Sequence, residues 1–387
     1  MIIAQKTNKI NILITGGAGF IGSKLVNLLY ARGYIITVLD NLNPQIHGID
    51  PEKESHLFNS LPIGIRFIKG SVTSKEDCIK AVRNQHVIVH LAAETGTGQS
   101  MYEIERYTNV NVIGTAVLLD ILTNVRDHTV SRFILSSSRS IYGEGKYFSQ
   151  DLGIVYPLHR CTEDLIKGDF EVKIKGSNSP LVALPTDEDS KIHPSSIYGI
   201  NKQTQEQMVL TICKALGISC IGLRFQNVYG PGQSLRNPYT GILSIFSSLI
   251  RLEEDINIFE DGEESRDFVF IDDAVQAIVL AIESSFEGVD VFNVGSGVPT
   301  KVIEVAETLC KYYNSNVPVN ISGKFRIGDI RHNYADLTKI GNVLGFKPAY
   351  NFETGIEIFT DWVKSQPIKS SNFTTSLHEL TERGLLK

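Results

Sequence analysis

Apolar and polar positions follow two periods along the first part of the chain. Ile10–Thr15 is a short unbroken apolar run, the pattern of a strand buried on both faces. A glycine-rich turn follows, then a stretch with Ile21, Leu25, Leu28 and Leu29 at helical spacing, closed by Gly33. Further strands are expected at Tyr34–Asp40, Arg66–Lys69, His86–Ala93, Arg132–Ser138 and Ser219–Phe225. Between them, Ser74 with Asp77 three residues on opens a short helix. Helical periodicity predicts a long helix over Tyr102–Asn124 and another over Ser196–Leu216. Strands alternating with helices at this spacing predict an α/β fold, a doubly wound parallel sheet covered on both faces.

The regularity stops at Glu144–Pro194, a polar stretch with Gly and Pro and little periodicity. A structureless loop of that length is unusual in a compact domain, so an insertion with its own local structure, or a lid, is expected. After Asn227 the pattern changes to short strands and helices around a Pro/Gly-rich loop, GPGQSLRNPYTG. Residues 1–227 are therefore expected to form a Rossmann-like domain with 144–194 inserted and 266–295 returning to it. Residues 228–387 should form a smaller mixed α/β substrate-binding lobe, interleaved with the first. Much of the extra length lies between Tyr142 and Tyr198 and after Val363.

Composition narrows the classes. The 387 residues are 42% hydrophobic and 21% charged, with a net charge of -6, and the calculated isoelectric point is near 5.9. Such a chain has no basic field to attract nucleic acid or an anionic membrane surface. Met1–Ile10 has no long apolar core of a leader, and no run approaches the roughly 18 apolar residues of a membrane span. Cys78, Cys161, Cys213, Cys220 and Cys310 are odd in number and form no Cys-x-x-Cys pair, so reduced thiols in a cytoplasmic protein and no metal site are expected.

The turn after the first strand reads Thr15-Gly16-Gly17-Ala18-Gly19-Phe20-Ile21-Gly22. Gly16 permits a tight turn, Gly19 lets backbone approach a pyrophosphate, and Gly22 lets the helix pack close to the strand. Asp40 ends the second strand, 18 residues past Gly22, where a carboxylate accepts ribose hydroxyls and repels a 2′-phosphate. With no Arg or Lys between Asp40 and Lys53, NAD is favoured over NADP. Ser136, Ser137 and Ser138 close the fifth strand, and ligands of open parallel sheets bind outside such carboxyl ends. Tyr198 and Lys202 stand at i and i+4, on one helix face. An ammonium beside a phenol lowers its pKa, which predicts a phenolate able to act as general base on a sugar or alcohol hydroxyl.

Taken together, the glycine turn, Asp40, the serine triplet and Tyr-x-x-x-Lys resemble the extended short-chain dehydrogenase/reductase family, from about Lys9 to about Val363. Other matching segments are HLAAETGTGQS, NVIGT, RFQNVYGPGQ, RDFVFIDD and FRIGDIRH. These resemble the nucleotide-sugar epimerases and dehydratases, and the combination of SSRSIYGEG, QNVYGPGQSLRNPYTG and RIGDIRH is most similar to the dTDP-L-rhamnose 4-epimerase group. The resemblance implies bound NAD, a nucleotide-sugar substrate and a catalytic set of Ser138, Tyr198 and Lys202. It implies a cofactor site from Gly16, Gly19, Phe20, Ile21, Gly22, Asp40, Asn41, Ser71, Val72, Leu91, Ala92, Ala93, Asn111, Ser136, Tyr198, Lys202 and Phe225. It implies a substrate site from Thr97, Ser138, Arg139, Asn227, Asn237, Arg266, Arg326 and Asp329, with Met101 and Tyr102 shaping the pocket.

Two positions depart from the family pattern. Many relatives carry Asp after the glycine of the third strand; here Gly70 is followed by Ser71. Close relatives carry a Cys-x-x-Cys pair in the inserted region, and EVKIKGSNSPL here has no cysteine. Dehydratases and decarboxylases of the family resemble one another in carrying a carboxyl group just after the hydroxyl residue. Arg139 and Ser140 occupy those places here, so transient oxidation at C4 and return of the hydride is the expected chemistry. A 4-keto reductase, a UDP-hexose or UDP-N-acetylhexosamine 4-epimerase, and a non-catalytic NAD-binding sensor remain as alternatives. Val110, Val112, Val117 and Leu118 on one helix, with Met208, Val209, Leu210 and Ile212 on another, predict a homodimer through a four-helix interface.

Overall fold

Strands β1 (Asn11–Thr15), β2 (Ile35–Asp40), β3 (Arg66–Lys69), β4 (Val87–His90), β5 (Arg132–Ser138), β6 (Ser219–Phe225) and β7 (Val289–Val294) form one sheet in the order β3-β2-β1-β4-β5-β6-β7. Every pairing in it is parallel. The structure is a computed structural model that describes residues 10–387 apart from 126, 236, 238, 240 and 368–372. Strand order reverses beside β1, so a crevice opens at the carboxyl ends of β1 and β4. The inward faces of β1, β4, β5 and β6 alternate between two cores. Ile12, Ile14, Val38 and Ile134 meet the helix Ile271–Glu283 on one side. Leu13, Ile88, Phe133 and Cys220 meet Leu118 and Val209 on the other.

The second lobe is built on Asn227–Tyr229, Ser265–Phe270, Pro299–Lys301 and His332–Asn333, with a separate pair Ile256–Ile258 and Val319–Ile321. Its Phe246, Ile258, Val305 and Phe359 belong to the same continuous apolar cluster as Ile12 and Phe292 of the large sheet. The returning segment divides. Ser265–Phe270 stays in the smaller sheet, while Ile271–Glu283 and Val289–Val294 complete the large one.

The expected long helix over Tyr102–Asn124 forms from Ile104 onward and carries a π turn in its middle. The chain makes a helix at Ile104–Thr108, a π turn at Asn109–Ile113 and an α-helix at Gly114–Asn124. Two long-range contacts account for this. Tyr102 turns away to bond Tyr239 and Glu379 at 2.6 and 2.8 Å. Asn111, in the π turn, faces inward to clasp Glu94, accepting from its N–H at 2.8 Å and donating to its carbonyl at 3.1 Å.

Residues 144–194 carry a three-stranded antiparallel sheet of Tyr147–Ser149, Gly153–Val155 and Val182–Ala183. Ion pairs fasten this insertion to the second lobe. Arg160 forks onto Glu260 with both bonds at 2.8 Å, and Arg331 bonds Glu171 at 2.6 Å. Arg331 is fully buried, so its four neighbouring carboxylates are needed to offset the loss of hydration. Among the described residues, no helix is long and apolar enough to cross a membrane, and no group of three His, Cys, Asp or Glu could hold a metal ion.

Candidate active site

The glycine turn lies at the mouth of the crevice. Gly16 has φ +70°, and a Cβ there would stand 2.7 Å from the Ala92 nitrogen, so Leu91 and Ala92 pack directly on the turn. A Cβ at Gly22 would stand 2.2 Å from the Gly16 carbonyl oxygen, which is why the helix Phe20–Ala31 can begin against the strand. Gly19, at the N-cap, is different. A Cβ there would meet only the Gly16 oxygen at 3.2 Å, so its outer face is open. An open backbone face beside the free N–H groups of a helix start suits a pyrophosphate. These residues fit the NAD expected from the sequence.

Asp40 sits where the sequence places it, and its carboxylate is already engaged. Oδ2 accepts from the Ala18 N–H at 3.0 Å and Oδ1 from the Leu42 N–H at 2.9 Å. Each oxygen keeps further acceptor capacity for a ribose. Asn41 is exposed and accepts from the Asn43 N–H at 3.2 Å. At the end of β3, the Ser71 N–H donates to Asp77 at 3.1 Å and its hydroxyl bonds Thr73 at 2.8 Å; Val72 is buried against the sheet. Asn111 is fully buried and spent on Glu94, so it shapes the strip after β4 from below.

The catalytic candidates converge at the end of β5. Parallel register sets Ser138 beside Phe225. The following 3-10 turn makes Ser138 Oγ accept from the Ser140 N–H at 3.2 Å and the Ser140 hydroxyl at 2.9 Å. Below it, Ser137 donates to Glu206 at 2.6 Å, and Arg224 grips the same carboxylate through two nitrogens at 2.6 and 3.0 Å. The helix Ile197–Leu216 starts at Ser196, whose hydroxyl accepts from the Gly199 N–H at 3.1 Å. The Tyr198 N–H is held by the Ser100 hydroxyl at 3.1 Å. Lys202 Nζ donates to the Ser136 carbonyl at 2.9 Å and lies 5.9 Å from the centre of the Tyr198 ring.

The expected direct effect of Lys202 on the phenol is corrected. Burial raises the Tyr198 pKa, and this outweighs the lowering by a hydrogen bond from Ser138 and by the Arg139 charge. Burial also pushes the Lys202 ammonium down to about 8. In the chain alone, the same desolvation that makes the site reactive holds the phenol protonated. Beneath it, His90 is fully buried between Thr15 and Thr115 at 2.7 and 3.0 Å, and burial pushes it down to about 3, so it is neutral.

A cavity of about 270 Å³ opens from Ser138 and Tyr198 towards the second lobe. Thr97, Arg139, Phe225, Asn227, Arg266, Arg326 and Asp329 all line it. Arg139 Nε donates to Asn227 at 2.8 Å, and its Nη1 is buried with no partner. Burial, then the charge of Arg266, pushes Arg139 down to about 9, which leaves it charged at neutral pH. Asp329 bonds Arg326 at 2.8 Å and Arg266 at 3.3 Å. Burial would raise its pKa, but the charges of Arg326, Arg266 and Arg160 hold it well below the usual carboxylate range. Three guanidinium groups, Arg139, Arg266 and Arg326, against two carboxyl groups, Asp329 and Glu264, leave excess positive charge, which suits a diphosphate. Asn237 is not brought into this cavity. It accepts from Gln45 at 3.2 Å and lines a separate cleft, while Arg236, Pro238 and Thr240 of its loop lie outside the described residues.

Several lining residues escaped the sequence reading. Glu264, Ile242, Ile245 and Phe259 come from the second lobe, and Phe373, Ser376, Leu377 and Leu380 come from the C-terminal helix. The i, i+4, i+7 spacing of Phe373, Leu377 and Leu380 is the signal that marks that helix as amphipathic.

Comparison with known proteins follows this geometry. Residues 12–160 and 173–295 match the NAD dependent epimerase/dehydratase family. The dTDP-L-rhamnose 4-epimerase of Burkholderia thailandensis is 37% identical over 356 residues, covering 92% of this chain and 95% of its own. The solved UDP-glucose 4-epimerase of Thermotoga maritima, with UDP-glucose, is similar at 30% identity and a TM-score of 0.74, covering 92% of this chain and 99% of that one. MoeE5, solved with UDP-glucuronic acid and NAD, is similar at 26% identity and a TM-score of 0.72, covering 92% and 99%.

Proposed function

The chain belongs to the NAD dependent epimerase/dehydratase family, and we propose that within it the protein is a 4-epimerase converting dTDP-L-rhamnose to dTDP-6-deoxy-L-talose. It is an NAD-dependent nucleotide-sugar epimerase of the extended short-chain dehydrogenase/reductase type. The observation that carries the finer reading is the serine turn. Ser138 and Tyr198 stand together at the cavity floor, and the next two positions are Arg139 and Ser140, not the carboxyl groups that dehydration or decarboxylation requires.

Bound NAD supplies hydride acceptance from C4 and its return. Tyr198 takes the proton of the 4-hydroxyl and gives it back to O4 at the end. Ser138 and Arg139 lower the phenol against the effect of burial, and the positive charge of bound NAD would act in the same direction. Ser138 bonds the same oxygen and steadies it as the charge changes. Lys202, fixed on the Ser136 carbonyl, orients the ribose and keeps positive charge below the ring. Arg139, Arg266 and Arg326 hold the diphosphate while the 4-keto sugar turns about that link and presents its other face.

Incubation of the purified protein with dTDP-L-rhamnose, without added NADH, is expected to give dTDP-6-deoxy-L-talose. Stoichiometric NADH consumption with a 4-keto sugar would instead mark a reductase, and no turnover of any nucleotide sugar would mark a sensor. We further infer a cytoplasmic homodimer through the helices flanking the site. Of the residues expected at that interface, Leu118 and Val209 are corrected to core positions, Val110, Val117, Met208, Leu210 and Ile212 are only partly buried, and Ile104, Ile113 and Ile200 nearby are exposed.

A further inference from the structure

The substrate cavity has a wall that the family resemblance does not cover. The chain pairs antiparallel to itself at its end: the Phe325 N–H donates to the Lys387 carbonyl at 2.8 Å, and the Lys387 N–H returns the bond at 3.0 Å. This ties the C-terminus to the segment that carries Arg326. The helix Phe373–Glu382 then crosses the opening with Phe373, Ser376, Leu377 and Leu380 towards the cavity. Leu380 lies within about 3.7 Å of where a Cβ on Gly98 would be, beside Thr97. Ser376 and Leu380 are only 3% and 4% exposed, so the helix is seated and not merely adjacent. A polar latch at the cavity rim also holds it. One oxygen of Glu379 accepts the phenol hydroxyls of Tyr102 and Tyr239, each at 2.8 Å, and Arg383 lies 4.5 Å over the Tyr102 ring.

We infer that the C-terminal helix is part of the substrate site, an apolar wall that closes over the sugar and retains the 4-keto intermediate while it turns. The inference rests on the epimerase reading. During the turn the sugar leaves Ser138 and Tyr198, and the arginines hold only its diphosphate. Leu377 and Leu380 offer a ketone no hydrogen bond, so they confine it without fixing one face. The helix also limits the room available: Phe373, Leu377 and Leu380 help bound a cavity of about 270 Å³, at the lower end of the roughly 300–1,000 Å³ usual for ligand clefts. A ketone that escaped after hydride transfer would leave the electron pair on the cofactor and the O4 proton on Tyr198, a balanced and abortive half-reaction.

The test uses the full chain and two variants, Leu380→Asp, which puts a charge against the wall, and Glu379→Ala, which removes the latch and touches no sugar. Hydrogen exchange of the helix amides in the unmodified chain should slow at least about tenfold with saturating dTDP-L-rhamnose. Both variants should weaken calorimetric binding of that ligand by about tenfold or more, Leu380→Asp the more strongly. Both should accumulate reduced cofactor with free 4-keto sugar, which the unmodified chain does not. Helix exchange unmoved by ligand, together with variants that bind and turn over as the unmodified chain does, would sink the wall alone. An unmodified chain that binds no nucleotide sugar would overturn the epimerase reading and this inference with it.

Discussion

Gly19 and Gly22 stand three residues apart in one turn, and alanine at each should fail for a different reason. At Gly22 the new methyl would stand 2.2 Å from the Gly16 oxygen and 2.7 Å from the Gly17 Cα. Both are backbone atoms that cannot swing aside. Overpacking in a rigid site costs roughly 1–3 kcal/mol, and this contact belongs at the upper end. At Gly19 the backbone has φ -75° and ψ -176°, which alanine adopts freely, and the methyl meets only the Gly16 oxygen at 3.2 Å. Reduced freedom of the unfolded chain offsets that contact by about 0.4–1 kcal/mol. Gly19→Ala should therefore fold as well as the parent. Its methyl instead occupies the face that a pyrophosphate must approach. Losing one or two charge-assisted bonds to helix N–H groups, each about 1.5–3 kcal/mol, weakens NAD by roughly 100-fold. The assay is the melting temperature of cofactor-free protein beside an NAD titration. Gly22→Ala should lower both stability and affinity, and Gly19→Ala affinity alone. A Gly19→Ala protein with parental NAD affinity would refute the assignment of that open face.

Three other outcomes follow from the site. Tyr198→Phe should lower kcat by roughly 10²–10⁴-fold with nucleotide-sugar binding little changed, since it removes the proton carrier and leaves the arginines; single-turnover kinetics beside equilibrium binding would show the split. Arg139→Met should raise KM for the nucleotide sugar at least about tenfold while leaving the melting temperature equal or higher, because it removes a buried guanidinium nitrogen that has no partner. Glu264 is pushed up to about 7, mainly by burial, and its Oε2 accepts no hydrogen bond, with the nearest guanidinium nitrogen, Arg331 Nη1, at 3.9 Å. Its folded pKa lies above the unfolded value, so folding takes up a proton and stability falls as pH rises from about 4.5 to 7. Glu264→Gln should accordingly melt higher than the parent at pH 8 and nearly together with it at pH 4; equal melting temperatures at both would show that the carboxyl is solvated.

The sequence by itself determined the strand and helix alternation, the glycine turn, the serines at the end of β5 and the Tyr198–Lys202 pair. These are short-range properties: a period of two or 3.6, or a turn that only glycine can make. Tertiary structure decided what depends on residues far apart in the chain. It satisfied both Asp40 oxygens with backbone, sent Asn237 to another cleft, and put a π turn into the helix after Tyr102, where Asn111 holds Glu94. It also reversed the expected direction at Tyr198, because burial is the sum of every neighbour and no spacing between two residues reports it. The last wall of the pocket followed the same logic. The tail shows its apolar stripe in sequence, but the pairing of Lys387 with Phe325 and the bonds of Glu379 to Tyr102 and Tyr239 set that stripe against the cavity.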